Sequence, residues 1–209
     1  MKTIYLVRHA KPIKKEMLNY KDLSDLQTQN EKIPLSIEGE KIASTLSIKL
    51  FNNIDYLYSS TYERAISTAK YISELNNIPI NITSNFNERK IGDKKGIKNE
   101  FWIIQLEDEN AKAPNGESQK EVRERMLKGL DDVLNSMEDT TNSVIITHAT
   151  AITFLLMNWC ELKGAVLITK KRHLTFNNKD VINDSFKTPE IFKLEFENNQ
   201  IKDINRIIY

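Results

Sequence analysis

The chain has 209 residues, 40% hydrophobic and 28% charged, with Lys+Arg 30 against Asp+Glu 29. That length fits one domain with a real core, and the even charge balance leaves no net field to hold nucleic acid or an anionic membrane. The single cysteine, Cys160, excludes an intrachain disulfide and a Cys-rich zinc site, and its apolar neighbours predict a buried thiol in a reducing compartment.

Residues 3–7, Thr-Ile-Tyr-Leu-Val, are β-branched and aromatic without Gly or Pro, and predict a buried strand that ends at Arg8-His9-Ala10. The run is too short for the apolar stretch of a signal peptide, so none is expected and the cytoplasm is the default location. Residues 11–34 are polar and Lys-rich, and read as a long loop or a loop with a short helix. Residues 36–50 predict a helix, with Ser36 as N-cap, Glu38 and Glu40 in the first turn, and Ile37, Ala43, Leu46 and Leu50 near helical spacing. A short strand follows at 54–58, then a helix at 61–77 with Ala65, Ala69, Ile72 and Leu75 on one face.

Residues 78–83 predict another strand. Residues 85–116 are mixed: Gly92 and Gly96 mark turns, and Trp102, Ile103, Ile104 and Leu106 need burial. The clearest helix is 117–138, with a stripe of Val122, Met126, Leu130, Val133 and Met137. Residues 143–147 repeat the opening theme: a buried strand, Ser-Val-Ile-Ile-Thr, that ends in His148-Ala149. Residues 149–162 read as a buried helix, too short for the roughly 20 apolar residues of a bilayer span. Residues 191–196 and 201–208, joined through Asn198-Asn199, form a hairpin-like ending. Alternation of strands and helices predicts an α/β fold with three layers: a mainly parallel central sheet and helices on both faces. We expect a single domain over 1–209, with 11–34 and 85–116 capping a pocket.

Open α/β sheets bind ligands at the carboxyl ends of their strands. A histidine after each of two buried strands, with arginines nearby, suggests a phosphate site. Arg64, in Ser59-Ser60-Thr61-Tyr62-Glu63-Arg64-Ala65, falls in the first turn of a helix. There a cation opposes the helix dipole unless an anion is held beside it. Glu88, in Phe86-Asn87-Glu88-Arg89-Lys90-Ile91-Gly92, is the carboxylate of interest. Taken singly, each has an ordinary explanation: a surface arginine, a capping histidine, a solvated acid. A metallohydrolase using His9 and His148 fits poorly, since only three histidines are present, none at ligand spacing, and arginines adjoin both candidates. No Gly-x-Ser-x-Gly elbow supports a Ser-His-Asp hydrolase.

Together these segments resemble the histidine phosphatase superfamily, also called phosphoglycerate-mutase-like. Its Arg-His-Gly/Ala tripeptide is matched by Arg8-His9-Ala10, and its Leu-Thr-x-x-Gly helix start loosely by Leu35-Ser36-Ile37-Glu38-Gly39. Its Ser-Ser-x-x-x-Arg-Ala-x-x-Thr-Ala segment is matched by Ser59-Ser60 through Arg64-Ala65 to Thr68-Ala69. Glu88 with Gly92 and Gly96, Gly116-Glu117-Ser118 with Arg123 downstream, and Thr147-His148-Ala149 complete the series in family order. Two features depart from it. The asparagine soon after the first tripeptide is missing, Asn19 being too late, and Asp93-Lys94-Lys95 stands where a tryptophan is common.

The resemblance implies a metal-independent phosphomonoesterase acting on a small phosphorylated metabolite, with no cofactor. His9 would be the nucleophile that becomes phosphohistidine. Arg8, Arg64 and His148 would hold the phosphate, and Glu88 would serve as general acid and then base. Arg8 and Arg64 would also keep His9 neutral, as attack requires. A phosphoglycerate mutase is the alternative within the family, although no insertion supplying its extra cationic contacts is found. A non-catalytic phosphate-binding protein of the same fold is the other. Lys11, Lys14 and Lys15 are either a solvated face or a lure for a polyanionic substrate. Oligomeric state and physiological substrate leave no signature.

Overall fold

The β-branched runs become the centre of a six-stranded sheet. The computed structural model describes residues 1–18, 26–93 and 100–208, so Asn19 and Gly96 lie outside the described residues. In chain order the elements are β1 (Lys2–Arg8), α1 (Leu26–Glu31), α2 (Ile37–Leu50), β2 (Tyr56–Ser59), α3 (Glu63–Asn76) and β3 (Ile80–Ile82). They continue with α4 (Phe101–Glu107), α5 (Gln119–Ser136), β4 (Asn142–Thr147), α6 (Ala149–Leu156), β5 (Glu161–Val166), β6 (Lys171–Phe176), β7 (Lys179–Asp184), β8 (Glu190–Glu197) and β9 (Gln200–Ile207). The main sheet runs β3-β2-β4-β1-β8-β9. Its first four strands are parallel, while β8 and β9 add an antiparallel edge to β1.

Alternation along each strand sorts the core into two layers. Ile4, Leu6 and Ile145 pack with Val122, Met126 and Leu130 of α5 and with Ile152 and Leu155 of α6. Val7, Val144 and Ile146 point the other way, onto Leu46 of α2 and Ala65, Ala69 and Ile72 of α3. Helices thus cover both faces of the sheet. The α5 stripe is buried as its spacing predicts, and a reciprocal capping box of Ser118 and Glu121 starts that helix. On α2, Ala43 and Leu46 are buried, but Ile37 is 81% exposed because the first residue of the helix faces solvent.

One expectation fails. The apolar stretch 149–162 is not one helix: α6 stops at Leu156, and Glu161–Val166 is a strand. The Asn158 side chain donates to the Leu155 carbonyl at 2.8 Å, and the chain turns there. Apolar content reports burial but cannot separate a helix from a helix, a turn and a strand. That strand opens an antiparallel sheet, β5-β6-β7, for which the sequence raised no expectation. Leu174, Phe176, Val181 and Ile182 of this sheet join the α5–α6 core. Cys160 is buried there, and burial pushes its thiol up to about 12. Among the described residues, no helix is long and apolar enough to cross a membrane.

Candidate active site

β1 and β4 are parallel neighbours with Arg8 opposite Thr147, so the two histidines that follow leave the sheet side by side. The His9 amide donates to the Thr147 carbonyl at 3.0 Å, and the rings lie 5.1 Å apart, centroid to centroid. Both side chains are buried. The motif residues around them bind the loop ends. Thr68 of α3 accepts from the Ala10 amide at 3.0 Å and donates to the Arg64 carbonyl at 2.7 Å. The Ser36 hydroxyl accepts from the Gly39 amide, and the Ser36 amide donates to the Lys11 carbonyl at 3.0 Å. A β-carbon on Gly39 would lie 2.0 Å from that carbonyl oxygen, so only glycine lets α2 approach the strand end this closely.

The protonation of both rings follows from their partners. His9 Nδ1 lies 2.7 Å from the Ala10 carbonyl, which can only accept, so Nδ1 carries the proton and Nε2 the lone pair. Arg64 Nε donates to that Nε2 at 3.0 Å. Burial, first, and then the charges of Arg64 and Arg8 hold His9 well below the usual imidazole range. At His148, Arg64 Nη2 lies 3.2 Å from Nδ1 and must donate, which leaves Nε2–H for the Ser60 hydroxyl at 2.7 Å. Burial, followed by Arg64, lowers His148 as well. A third Arg64 bond, to the Asn30 carbonyl, ties α1 of the 11–34 segment to the site.

Arg8 donates through Nη1 to the carbonyls of Phe186 and Lys187 at 3.2 and 2.8 Å. Burial lowers its basicity while Glu88 and Glu190 oppose that change, and it makes no ion pair among the described residues. The Glu88 carboxylate sits over the start of α6, the helix His148 caps. Oε1 accepts the amides of Ala151 and Arg89 at 3.0 and 2.9 Å, and Oε2 accepts that of Thr150 at 3.3 Å. The structure therefore gathers Arg8, His9, Arg64, Glu88 and His148 at one end of the sheet.

Other predicted residues sit farther out. Lys11 pairs with Glu38 on the surface, and Lys14 is exposed. Gly92, at φ +77°, packs against the Gly116 backbone. Arg123 reaches Asn158 and Glu109 rather than the site.

Two residues escaped sequence reasoning. Arg125 forms a two-pronged pair with Glu117 at 2.7 and 3.0 Å and donates to the carbonyls of Asn85, Asn87 and Glu88. It fixes the stretch that carries Glu88. Arg172 of β6 is 8% exposed and has no ion pair among the described residues. Its guanidinium lies 4.7 Å over the Phe186 ring and 5.6 Å over that of Trp102, donating to Thr153 at 2.6 Å and to the Lys170 carbonyl at 3.2 Å. Burial pulls it down to about 10, partly offset by Glu88 and reinforced by Arg8, so it stays charged at neutral pH. The only sequence signal was the basic run Lys170-Lys171-Arg172-His173.

The model of the histidine phosphatase superfamily, branch 1, matches residues 4–175. The chain belongs to that superfamily. Its match extends from β1 into β6 and so includes both histidine-bearing strand ends. An uncharacterized phosphatase, PhoE, of Bacillus subtilis (strain 168) is 32% identical over 126 residues, which is 59% of this chain and 63% of that protein. The chain thus aligns with a little under two thirds of this curated relative. A mycobacterial glucosyl-3-phosphoglycerate phosphatase solved with VO3 superposes with a TM-score of 0.69 at 18% identity, over 100% of this chain and 99% of that one. Bacillus stearothermophilus YhfR gives 0.67 at 20% identity, over 97% and 95%. These two structures share the superfamily fold with this chain.

Proposed function

We propose that this superfamily member hydrolyses a small phosphomonoester through a phosphohistidine on His9, without a metal ion. The observation that carries the reading is the state of His9: a buried, neutral ring with its proton on Nδ1 and the Nε2 lone pair facing Arg64. On substrate binding, Arg64 passes from that lone pair to a phosphate oxygen. Nε2 then attacks phosphorus as the ester P–O bond breaks. Arg8 and Arg64 stabilise the equatorial oxygens. Glu88 gives its proton to the departing alkoxide. It next takes one from the water that attacks the phosphohistidine, releasing inorganic phosphate and restoring His9.

His148 reaches the phosphate through Nδ1, which gains a proton once the dianion replaces Arg64 beside it. Two arginines against both histidines make the same spot hostile to a divalent cation. The names of two relatives, PhoE and the mycobacterial glucosyl-3-phosphoglycerate phosphatase, support hydrolysis over phosphate storage. The segments 11–34 and 85–116 would form the walls that choose the substrate. The cytoplasm is the proposed location, in keeping with a lone buried thiol.

The test is rapid quench into alkaline detergent with a ³²P-labelled alkyl phosphate, in EDTA. The expected result is an alkali-stable phosphoprotein and steady phosphate release, both abolished by His9→Ala. Substantial turnover by His9→Ala, or loss in EDTA restored by a divalent ion, would overturn the mechanism. Phosphate bound tightly without turnover would favour the non-catalytic reading, and phosphate passed to a second alcohol the mutase.

A further inference from the structure

We infer that Arg172 is the reader of a second oxyanion, a carboxylate or a second phosphate, borne by the leaving-group half of the substrate. The inference deepens the phosphatase reading, on which it rests for what counts as the leaving group. Five buried side-chain polar atoms lack a hydrogen-bond partner among the described residues, and three of them gather here: Arg172 Nε, Arg8 Nε and Trp102 Nε1. All three are N–H donors, so what the cluster lacks is an acceptor. Phe186 joins them, since Arg8 holds its carbonyl and Arg172 stacks on its ring, while the other cation–π contact of Arg172 is to Trp102. Trp102 belongs to the 85–116 segment and Arg172 to the second sheet, so the cluster forms where two separate parts of the chain meet the site.

A purely structural arginine at this depth would be expected to pair with a carboxylate, as Arg206 does with Glu190 and Asp184 and Arg125 does with Glu117. Arg172 instead shares its surroundings with a second cation, Arg8, and feels the opposing charges of Glu88 and, more weakly, Asp184 without pairing with either. Desolvating two guanidiniums together is costly unless an anion enters between them.

The position decides which anion. Arg64, and not Arg172, bonds the two histidines, so the transferred phosphate has its cations in Arg64 and Arg8. Arg172 bonds Thr153, on the helix whose first amides hold Glu88. In the proposed chemistry Glu88 faces the ester oxygen, and Arg172, tied to the same helix, is assigned to the alcohol portion beyond it. A planar guanidinium braced by two rings and two hydrogen bonds offers its remaining N–H groups in a fixed direction. That suits the paired oxygens of a carboxylate or phosphate.

The experiment separates this inference from the reaction itself. Turnover is read on wild type with p-nitrophenyl phosphate. The second anion is read by calorimetric binding to His9→Ala protein, which leaves the esters intact. The probes are phosphoglycolate, its neutral amide, and ethylene glycol bisphosphate. We expect one of the two anionic probes to bind roughly 10- to 100-fold more tightly than the amide, the gain of one charge-assisted contact. Which one wins names the oxyanion.

Adding Arg172→Gln should bring that ratio close to one, and Arg172→Lys, which keeps the charge but not the fork, should restore part of it. The lysine variant also covers the case in which the glutamine protein does not fold. A ratio near one before Arg172 is changed, or a ratio unaltered in either folded variant, overturns the inference. A selective ratio without p-nitrophenyl phosphate turnover would sink the enzyme reading and leave the second oxyanion site standing.

Discussion

Glu88→Gln separates the proposed proton donor from a merely placed side chain, and its structural cost can be worked out first. The carboxylate accepts two good amide bonds on Oε1, from Ala151 and Arg89, and a longer one of 3.3 Å on Oε2, from Thr150. A glutamine carbonyl turned toward Ala151 and Arg89 keeps the first two, and its NH2 group then meets the Thr150 amide. That loses one weak bond and sets donor against donor, about 0.5–1.5 kcal/mol. For a chain of this size such a loss lowers Tm by only about 1–6 °C. The catalytic cost should be larger and selective.

An alkyl phosphate leaves as a strongly basic alkoxide and needs the proton, whereas p-nitrophenolate is stable without one. Removing a general acid costs about 10²–10⁴-fold, or roughly 3–5 kcal/mol of barrier, and that cost should appear with the alkyl ester. With p-nitrophenyl phosphate the fall should be far smaller. The assay is single-turnover phosphorylation of His9, so that slow dephosphorylation does not mask the difference. Equal falls for both esters in a variant with near-native melting would refute proton donation and leave Glu88 a capping residue of α6. The same change at Asp93 or Glu117 should show little leaving-group selectivity.

Arg64→Lys keeps a charge but cannot reach His9, His148 and the phosphate from one planar group. We expect kcat/KM to fall by about 2–4 kcal/mol, roughly 30- to 900-fold, with KM and kcat both affected; wild-type kinetics would remove Arg64 from the site. The histidines predict an acid-side signature. Both stay neutral when folded, because burial and arginines hold them well below the ordinary range, while in the unfolded chain they titrate near 6.5. Below that pH the unfolded state takes up protons the native state refuses. Stability is therefore fully present above pH 6.5 and falls by up to about 1.4 kcal/mol per histidine per unit below it. Chemical denaturation at pH 7 and pH 5.5 reads this, and equal stabilities at both would contradict the assigned neutral rings.

What the sequence made legible was the sheet centre and the gathering of Arg8, His9 and His148 at its strand ends. Each depends on a short run of β-branched residues with a candidate site side chain directly after it, as in Val7-Arg8-His9 and Thr147-His148. The α5 stripe was equally plain, because one periodic face is buried along the whole helix. The second sheet was not, since β5 is an edge strand with little buried surface and leaves no alternating pattern. Arg172 was hidden in a basic run because charge reads as exposure, and only the rings of Trp102 and Phe186, 70 residues before it and 14 after it, make it a buried cation. Arg125 lies two positions from Arg123 on one helix. Nothing local says which of them faces the Glu88 stretch, because its partner Glu117 lies before the helix and the three carbonyls it holds come from residues 85–88.

The grip of Arg125 on those carbonyls has a consequence for how this molecule could change its diet. The Glu88 stretch is moored to α5 upstream of Gly92, at Asn85, Asn87 and Glu88, and through the Lys90 amide to Glu117 at 2.8 Å. Past Gly92 the described chain is moored again at α4, where buried Gln105 bonds Arg89 and the Glu117 carbonyl and its own carbonyl accepts from Gln119 at 2.6 Å. Exposed side chains of α4, Ile104 among them, can therefore be exchanged while Gln105 and Arg125 keep the carboxylate in its seat over α6. Under the proposed reaction, a lineage or a designer would alter the wall that meets the alcohol without moving Glu88.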